Sequence, residues 1–216
     1  MRKGIMTTAS AILITAAVLA ACPRRALCSD GPGRAAWLAG MTWDVGIPAG
    51  DTRDFLTEPS YLGLGVSFGR SVPSPSARLY TGITWQWNPF LEDSRESLSV
   101  PDFDVTGDHS RRIWLSPFLA EMGYDYTWKA GPRRAKFFWR LGAGVYYIRK
   151  KVEAGITGYE ETDWQVGVSP EAGLRVPLLF GLEAGVSARY HFILDTGVLD
   201  DQAYLTFRFG MYRLMF

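Results

Sequence analysis

The sequence predicts an all-β protein, an eight-stranded antiparallel up-and-down transmembrane β-barrel. Three observations carry this. From about Ala35 to the end, bulky apolar residues alternate with small or polar ones in eight separate runs. The connections between those runs alternate between long and short. The charges on the later runs fall on the small, polar phase. Period two with two different environments marks a strand, and the composition, 14% aromatic with 23 glycines and only 21% charged, suits a sheet that meets lipid on one side and polar groups on the other.

In the first run Trp37, Ala39, Met41, Trp43 and Val45 oppose Leu38, Gly40, Thr42, Asp44 and Gly46. In the second, Leu62, Leu64, Val66 and Phe68 alternate with Gly63, Gly65, Ser67 and Gly69, and SVPSPS (71–76) makes a short turn. The third sets Leu79, Ile83, Trp85 and Trp87 against Tyr80, Gly82, Thr84 and Gln86, and the polar stretch 88–112 is expected to be a long loop. The fourth sets Trp114, Phe118, Ala120, Met122, Tyr124, Tyr126 and Trp128 against Ser116, Glu121, Gly123, Asp125 and Thr127, ending in the turn KAGPRR (129–134). In the fifth, Phe137, Trp139, Leu141, Ala143, Val145 and Tyr147 oppose Arg140, Gly142, Gly144 and Tyr146; a polar loop is expected over about 150–163. The sixth has Trp164, Val166, Val168, Ala172, Leu174 and Val176 against Gln165, Gly167, Ser169, Glu171, Gly173 and Arg175, with a tight turn near 177–181. The seventh has Leu182, Ala184, Val186, Ala188, Tyr190 and Phe192 against Glu183, Gly185, Ser187, Arg189 and His191, then a loop over 194–202. In the last, Leu205, Phe207, Phe209 and Met211 oppose Tyr204, Thr206, Arg208 and Gly210.

Odd and even connections of an up-and-down barrel leave from opposite ends, and barrels of outer membranes have short periplasmic turns and longer outside loops. With the N-terminus inside, the first, third, fifth and seventh connections face outside, and these are the longer ones here. The cost of charge settles the faces. Arg or Lys against mid-bilayer lipid costs about 2–4 kcal/mol, so the phase that carries Arg140, Glu171, Arg175, Glu183, Arg189 and Arg208 points into the lumen. An unpaired buried charge is expensive. Glu121, Glu171 and Glu183 are therefore expected to pair with Arg140, Arg175, Arg189 and Arg208 in a network that closes the barrel to ions. Gly63, Gly65, Gly142, Gly144, Gly173 and Gly185 would ease crowding in so narrow an interior. Trp37, Trp43, Trp87, Trp114, Trp128, Tyr147 and Trp164 fit aromatic girdles at the two interfaces.

Ahead of the barrel the chain reads as an export signal over 1–28. Arg2 and Lys3 form a short positive end, and 5–21 carries no charge. Two cleavage readings compete: Leu19, Ala20, Ala21 and Cys22 match a lipobox, in which Cys22 would become the acylated first residue, or the cut falls later, near Cys28. Residues 29–34 form a polar connector and 35–216 the barrel domain. Cys22 and Cys28 are the only cysteines, so the body suits export through an oxidising compartment.

The formal charge of +1, about −3 once the leader is removed, argues against a nucleic-acid partner. No cofactor or metal is expected, since no GxGxxG, P-loop, CxxC or HExxH pattern occurs. His191, Ser187 and Glu183 stand four residues apart. Four residues of strand span about 13 Å, so these cannot form a triad within one strand, and His191 is expected to be a polar lumen residue near the outer rim. His109 lies in the second outside loop. Asp102, Asp104 and Asp108, and Glu160, Glu161 and Asp163, are expected to be solvated loop charge, with divalent-cation bridging to lipopolysaccharide as the alternative.

Three segments, GAGVYYIR (142–149), PEAGLRVPL with GLEAGVSARYHF (170–192) and the closing YLTFRFGMYRLMF (204–216), resemble small outer-membrane barrels of the OmpA transmembrane-domain, OmpX and OmpW kind. The resemblance covers about 35–216. It implies the outer membrane of a Gram-negative bacterium, with outer-membrane lipids and lipopolysaccharide as surroundings. It also implies recognition of the terminal Phe216 by the barrel-assembly machinery. The apolar phase of 205–211 does not continue in register to Leu214 and Phe216; a bulge near Tyr212 would restore it, and otherwise the terminal signal is degenerate. The expected role is non-enzymatic: envelope integrity, surface interaction through the outside loops, or narrow transport. The alternatives are a passive porin-like channel and a lipid A-modifying barrel enzyme. A soluble lipocalin-type barrel would leave a Trp/Phe surface in water.

Overall fold

Among the described residues the chain folds into ten strands and one short helix: β1 (Ala36–Gly50), α1 (Asp51–Phe55), β2 (Ser60–Pro73), β3 (Arg78–Ser94), β4 (Ser97–Val100), β5 (Phe103–Thr106), β6 (His109–Ala130), β7 (Arg133–Ala154), β8 (Thr157–Pro177), β9 (Leu182–Ile193) and β10 (Gln202–Met215). The structure, a computed structural model, describes residues 35–74, 77–94, 97–100, 103–106, 109–130, 133–154, 157–179, 181–194 and 202–215. The expected leader, the connector, Cys22 and the terminal Phe216 lie outside them. Eight strands close into a barrel in the order β1-β10-β9-β8-β7-β6-β3-β2, while β4 and β5 form a separate two-stranded ladder in the connection between β3 and β6. All barrel neighbours are antiparallel.

The two phases part as the cost of charge requires. Trp43, Phe68, Ile83, Trp85, Phe118, Trp139, Val166 and Phe209 are exposed on the outer wall, while Arg140, Arg175, Arg189 and Arg208 are buried. A wall this greasy around a charged interior is a membrane-spanning barrel. The closed ring of ladders leaves the wall without an open sheet edge.

Four expectations need correction. The stretch 88–112 is only partly loop, since β3 continues to Ser94 and β6 begins at His109, with Ser94 paired to His109. The supposed loop at 150–163 is likewise a continuing ladder: β7 runs to Ala154, β8 starts at Thr157, and Lys151 pairs with Glu160 and Lys150 with Glu161. Opposite charges directly across a ladder stabilise it, so a polar sequence stays in sheet. Ser116 shares the outward phase of Trp114 and Phe118; the inward residues beside it are Ile113, Leu115 and Leu119, all buried. No bulge occurs at Tyr212, because β10 keeps one register against β1 from Gln202 to Met215. Tyr212 points inward and is buried, and Leu214 packs with Leu38 and Tyr80. The bulge lies instead in β1 against β2, between Asp44 and Gly46.

Strand lengths make the barrel lopsided. A crossing needs about 9–11 residues, whereas β6 and β7 have 22 each and β8 has 21. β2 and β3, β6 and β7, and β8 and β9 are joined in sequence at the end where β1 begins and β10 finishes. The surplus therefore rises at the opposite end as a wall of β6, β7 and β8. β9 meets β8 only up to Gly167.

Candidate functional site in the lumen

The interior is built in two layers. The layer toward the short turns is ionic. Each strand there places its even or odd positions inward according to register, so that β1 supplies Asp44, β6 Glu121 and Asp125, β7 Lys136 and Arg140, β8 Glu171 and Arg175, β9 Glu183 and Arg189, and β10 Arg208. Five cations thus meet five anions. Arg189 bridges Glu121 and Glu171. Arg208 reaches Glu171 at 3.0 Å, Asp44 at 3.4 Å and the Thr42 hydroxyl at 3.1 Å. Arg175 holds Asp125 at 2.6 Å and Glu183 at 3.2 Å, and Lys136 also binds Glu183. Ser187 donates to Glu171 at 2.6 Å, and the Gln86 amide donates to Asp44 at 2.8 Å.

All seven network residues anticipated from sequence are buried in this layer. Arg140 is the least conventionally paired. It stands 3.7 Å from Glu121, and its guanidinium lies over the Tyr80 ring at 3.8 Å and the Phe138 ring at 4.7 Å. Among the described residues its Nε and Nη2 have no hydrogen-bond acceptor, so ring faces supply much of its stabilisation. The sequence reading left out Asp44, Asp125 and Lys136 as partners. The signal was present, since all three sit on the same phase as the other ions.

The layer at the opposite end is apolar, which the sequence did not suggest. Leu56, Phe90, Ile113, Leu115, Leu119, Tyr146, Ile148, Ile193 and Tyr204 form one buried cluster, with Phe55 packed against it. Phe55 and Leu56 come from the connection between β1 and β2, which turns inward over the mouth. It is fixed there by specific bonds. The Ala203 amide donates to Thr52 Oγ1 at 3.2 Å, Thr52 donates to Gln202 at 3.0 Å, and Arg111 donates to the Phe55 carbonyl at 3.2 Å. The Thr57 amide donates to Glu92 at 2.6 Å. Lys150 stands 5.6 Å over the Phe55 ring.

His191 lies where the layers meet and is fully buried. Its Nδ1 is 3.0 Å from the Tyr146 hydroxyl and its Nε2 is 3.4 Å from Thr206 Oγ1, while its ring stacks on Tyr204 at 4.1 Å. Ser187 is committed to Glu171 rather than to the imidazole. His109 is buried at the start of β6. Glu160 pairs with Arg149 at 2.9 Å, and Tyr159 donates to Glu161 at 2.9 Å. Asp104 lies on β5, and Asp102 and Asp108 fall outside the described residues. Among the described residues no three ligating side chains converge on a point where a metal could sit.

No family model and no curated protein sequence matches the chain. Among solved structures, the chain is similar to Ail, the attachment invasion locus protein of Yersinia pestis, in complex with the heparin analogue sucrose octasulfate. That match has 14% identity over 86% of this chain and all of that one, with a TM-score of 0.46. It is also similar to Neisserial surface protein A, with 11% identity over 83% and 96% of the two chains and a TM-score of 0.45. A third similarity is to the outer membrane enzyme PagL, with 14% identity over 81% and 98% and a TM-score of 0.37.

Proposed function

We propose that the protein is an integral outer-membrane barrel of a Gram-negative bacterium that neither conducts nor catalyses, and that it acts through its outer surface. The observation that carries this is the lumen's double closure. A balanced set of five cations and five anions fills one layer, and an apolar cluster capped by Phe55 and Leu56 fills the next. Eight strands leave an interior just wide enough for side chains, so no continuous water path has room beside both layers. The non-catalytic reading is supported by His191, whose two nitrogens and ring face are all engaged by Tyr146, Thr206 and Tyr204. Activity at the surface is supported by the tall β6–β8 wall, whose strands are longer than the others and rise at the end away from the β6–β7 junction. Phe216, outside the described residues, serves in this reading as a degenerate signal to the barrel-assembly machinery, since β10 has no bulge to bring it onto the phase of Phe207 and Phe209.

The test is conductance. The full-length mature protein, inserted in planar bilayers, is expected to give no stable openings. A large, persistent single-channel current would favour the porin-like alternative. Release of acyl chains from lipopolysaccharide by the purified protein would favour the enzyme.

A further inference from the structure

The outer wall of β6, β7 and β8 carries a cluster of outward-facing cations just beyond the hydrocarbon. Cross-strand pairing sets Arg112 beside Lys151 and Trp114 beside Arg149, then Arg149 beside Thr162 and Tyr147 beside Trp164. The Arg149 guanidinium lies 5.0 Å over the Trp114 ring, and Trp164 meets both Tyr147 and Phe118. A row of Trp and Tyr marks an interface, so the three cations stand at headgroup height. They are held by exposed carboxylates: Arg149 by Glu160 at 2.9 Å, Arg112 by Glu153 at 3.6 Å, and Lys151 by Glu153. Such exposed pairs are weak. They orient the basic groups without removing them from an incoming phosphate.

Lower on β6, and reaching sideways across β3 to β2, is an apolar groove of about 530 Å³, bounded by Val66, Phe68, Ile83, Trp85, Phe118 and Ala120. It has local causes. Pro117 lacks an N–H, and the β3–β6 ladder has no pairs between Trp85–Phe118 and Asn88–Leu115. Below that gap, Ala120 faces Ile83 on one side and Ala143 on the other, which lowers the wall. Arg112 and Phe118 are six residues apart, about 20 Å of strand. With a tilt near 40° that is about 15 Å of depth, or half of a 30 Å hydrocarbon core. The groove thus starts near mid-core, at the depth reached by the ends of acyl chains in the leaflet whose headgroups meet the cations.

We infer that this stripe is a binding site for one phosphorylated, multi-acyl lipid of the outer leaflet, of the lipid A class. Its phosphates sit on Arg112, Arg149 and Lys151, and its acyl chains run down β6 so that their ends enter the groove across β2, β3 and β6. Several basic groups spread across two strands match more than one phosphate, and a groove three strands wide matches more than one chain. The inference rests on the membrane orientation proposed above, though not on the closed lumen.

The experiment is native mass spectrometry of the full-length mature protein, carried in detergent with equal lipid A and phosphatidylglycerol. One retained lipid A is expected, at about tenfold preference, since each basic residue near a membrane surface adds modestly and Glu153 and Glu160 offset part of it. The triple variant Arg112→Gln, Arg149→Gln, Lys151→Gln should lose the preference. Ala120→Phe, which fills the groove and leaves the cations in place, should lower retention about as much. A heat-shift gel selects folded preparations of both. Equal retention of the two lipids, unchanged retention in both variants, or a second copy of the chain held in place of lipid overturns the site. Orientation is read separately, by labelling Gly158→Cys in intact cells with a membrane-impermeant maleimide.

Discussion

Arg189 is the residue on which the ionic layer turns, because it alone separates Glu121 from Glu171. Removing one partner of a buried ion pair leaves an uncompensated charge, which costs about 3–5 kcal/mol. Arg189→Met should lower stability by about that much, read as the urea midpoint for loss of the heat-resistant form in detergent. Arg112→Gln, whose pair is exposed, should move the midpoint little. The lumen glycines follow a related logic. A Cβ at Gly40 would lie 2.4 Å from the Tyr212 ring, and one at Gly185 or Gly210 would lie 2.9 Å from it. These glycines make room for a particular ring rather than merely thinning the interior. Gly40→Ala should cost about 1–3 kcal/mol through overpacking. Adding Tyr212→Leu should recover part of that, since neighbours that share a space are not additive. Asp44, Asp125 and Lys136 show how far parity carries at this scale. Their phase was legible, but which cation each would meet depends on register across strands that are remote in sequence.

At the scale of elements, the tall ladder shows what polarity conceals. Residues 150–163 look like loop because charged residues dominate, yet Lys151 opposite Glu160 and Lys150 opposite Glu161 are cross-strand pairs. Such pairing is invisible until the hairpin's register is known. The Arg149 side chain, by hydrogen bonding to Glu160, holds that carboxyl below its ordinary range. A group with a depressed folded value contributes above its unfolded pKa, and that contribution is lost as pH falls through the folded value. Amide exchange over 149–162 should therefore quicken on acidification below the ordinary carboxylate range, while exchange at mid-barrel is unchanged. The inward-turned connection has a different vulnerability. Leu56 is buried in the apolar cluster, and Leu56→Asp would put a charge there without a partner. Limited proteolysis should then cut within 51–59, and the barrel beneath should still shift mobility on heating. Nothing in the sequence pattern marks this connection as a cap, because α1 is only five residues long and its anchors, Gln202, Ala203 and Arg111, are distant in the chain.

For the whole molecule, the rule that greasy residues face lipid and charged ones face the lumen was enough to reach the eight barrel strands, closure and the face each strand turns inward. It holds because hydrocarbon penalises exposed charge far more than a lumen penalises a buried apolar group. That asymmetry is also why the rule is silent about Ile113, Leu115, Leu119, Ile148 and Ile193, which face inward at no such cost and form the second layer. Two closures in series make a prediction that neither alone would. Replacing 51–59 with a Gly/Ser linker should uncover the apolar layer and leave the barrel non-conducting in planar bilayers, since the ionic layer below is intact. Arg189→Ala with Arg208→Ala, in preparations that pass the heat-shift gel, should also stay closed, because Phe55 and Leu56 still cap the bore. Only the combined chain should leak. A steady current from the linker variant alone would mean that the ion network admits water and ions between its members, and closure would then belong to the cap.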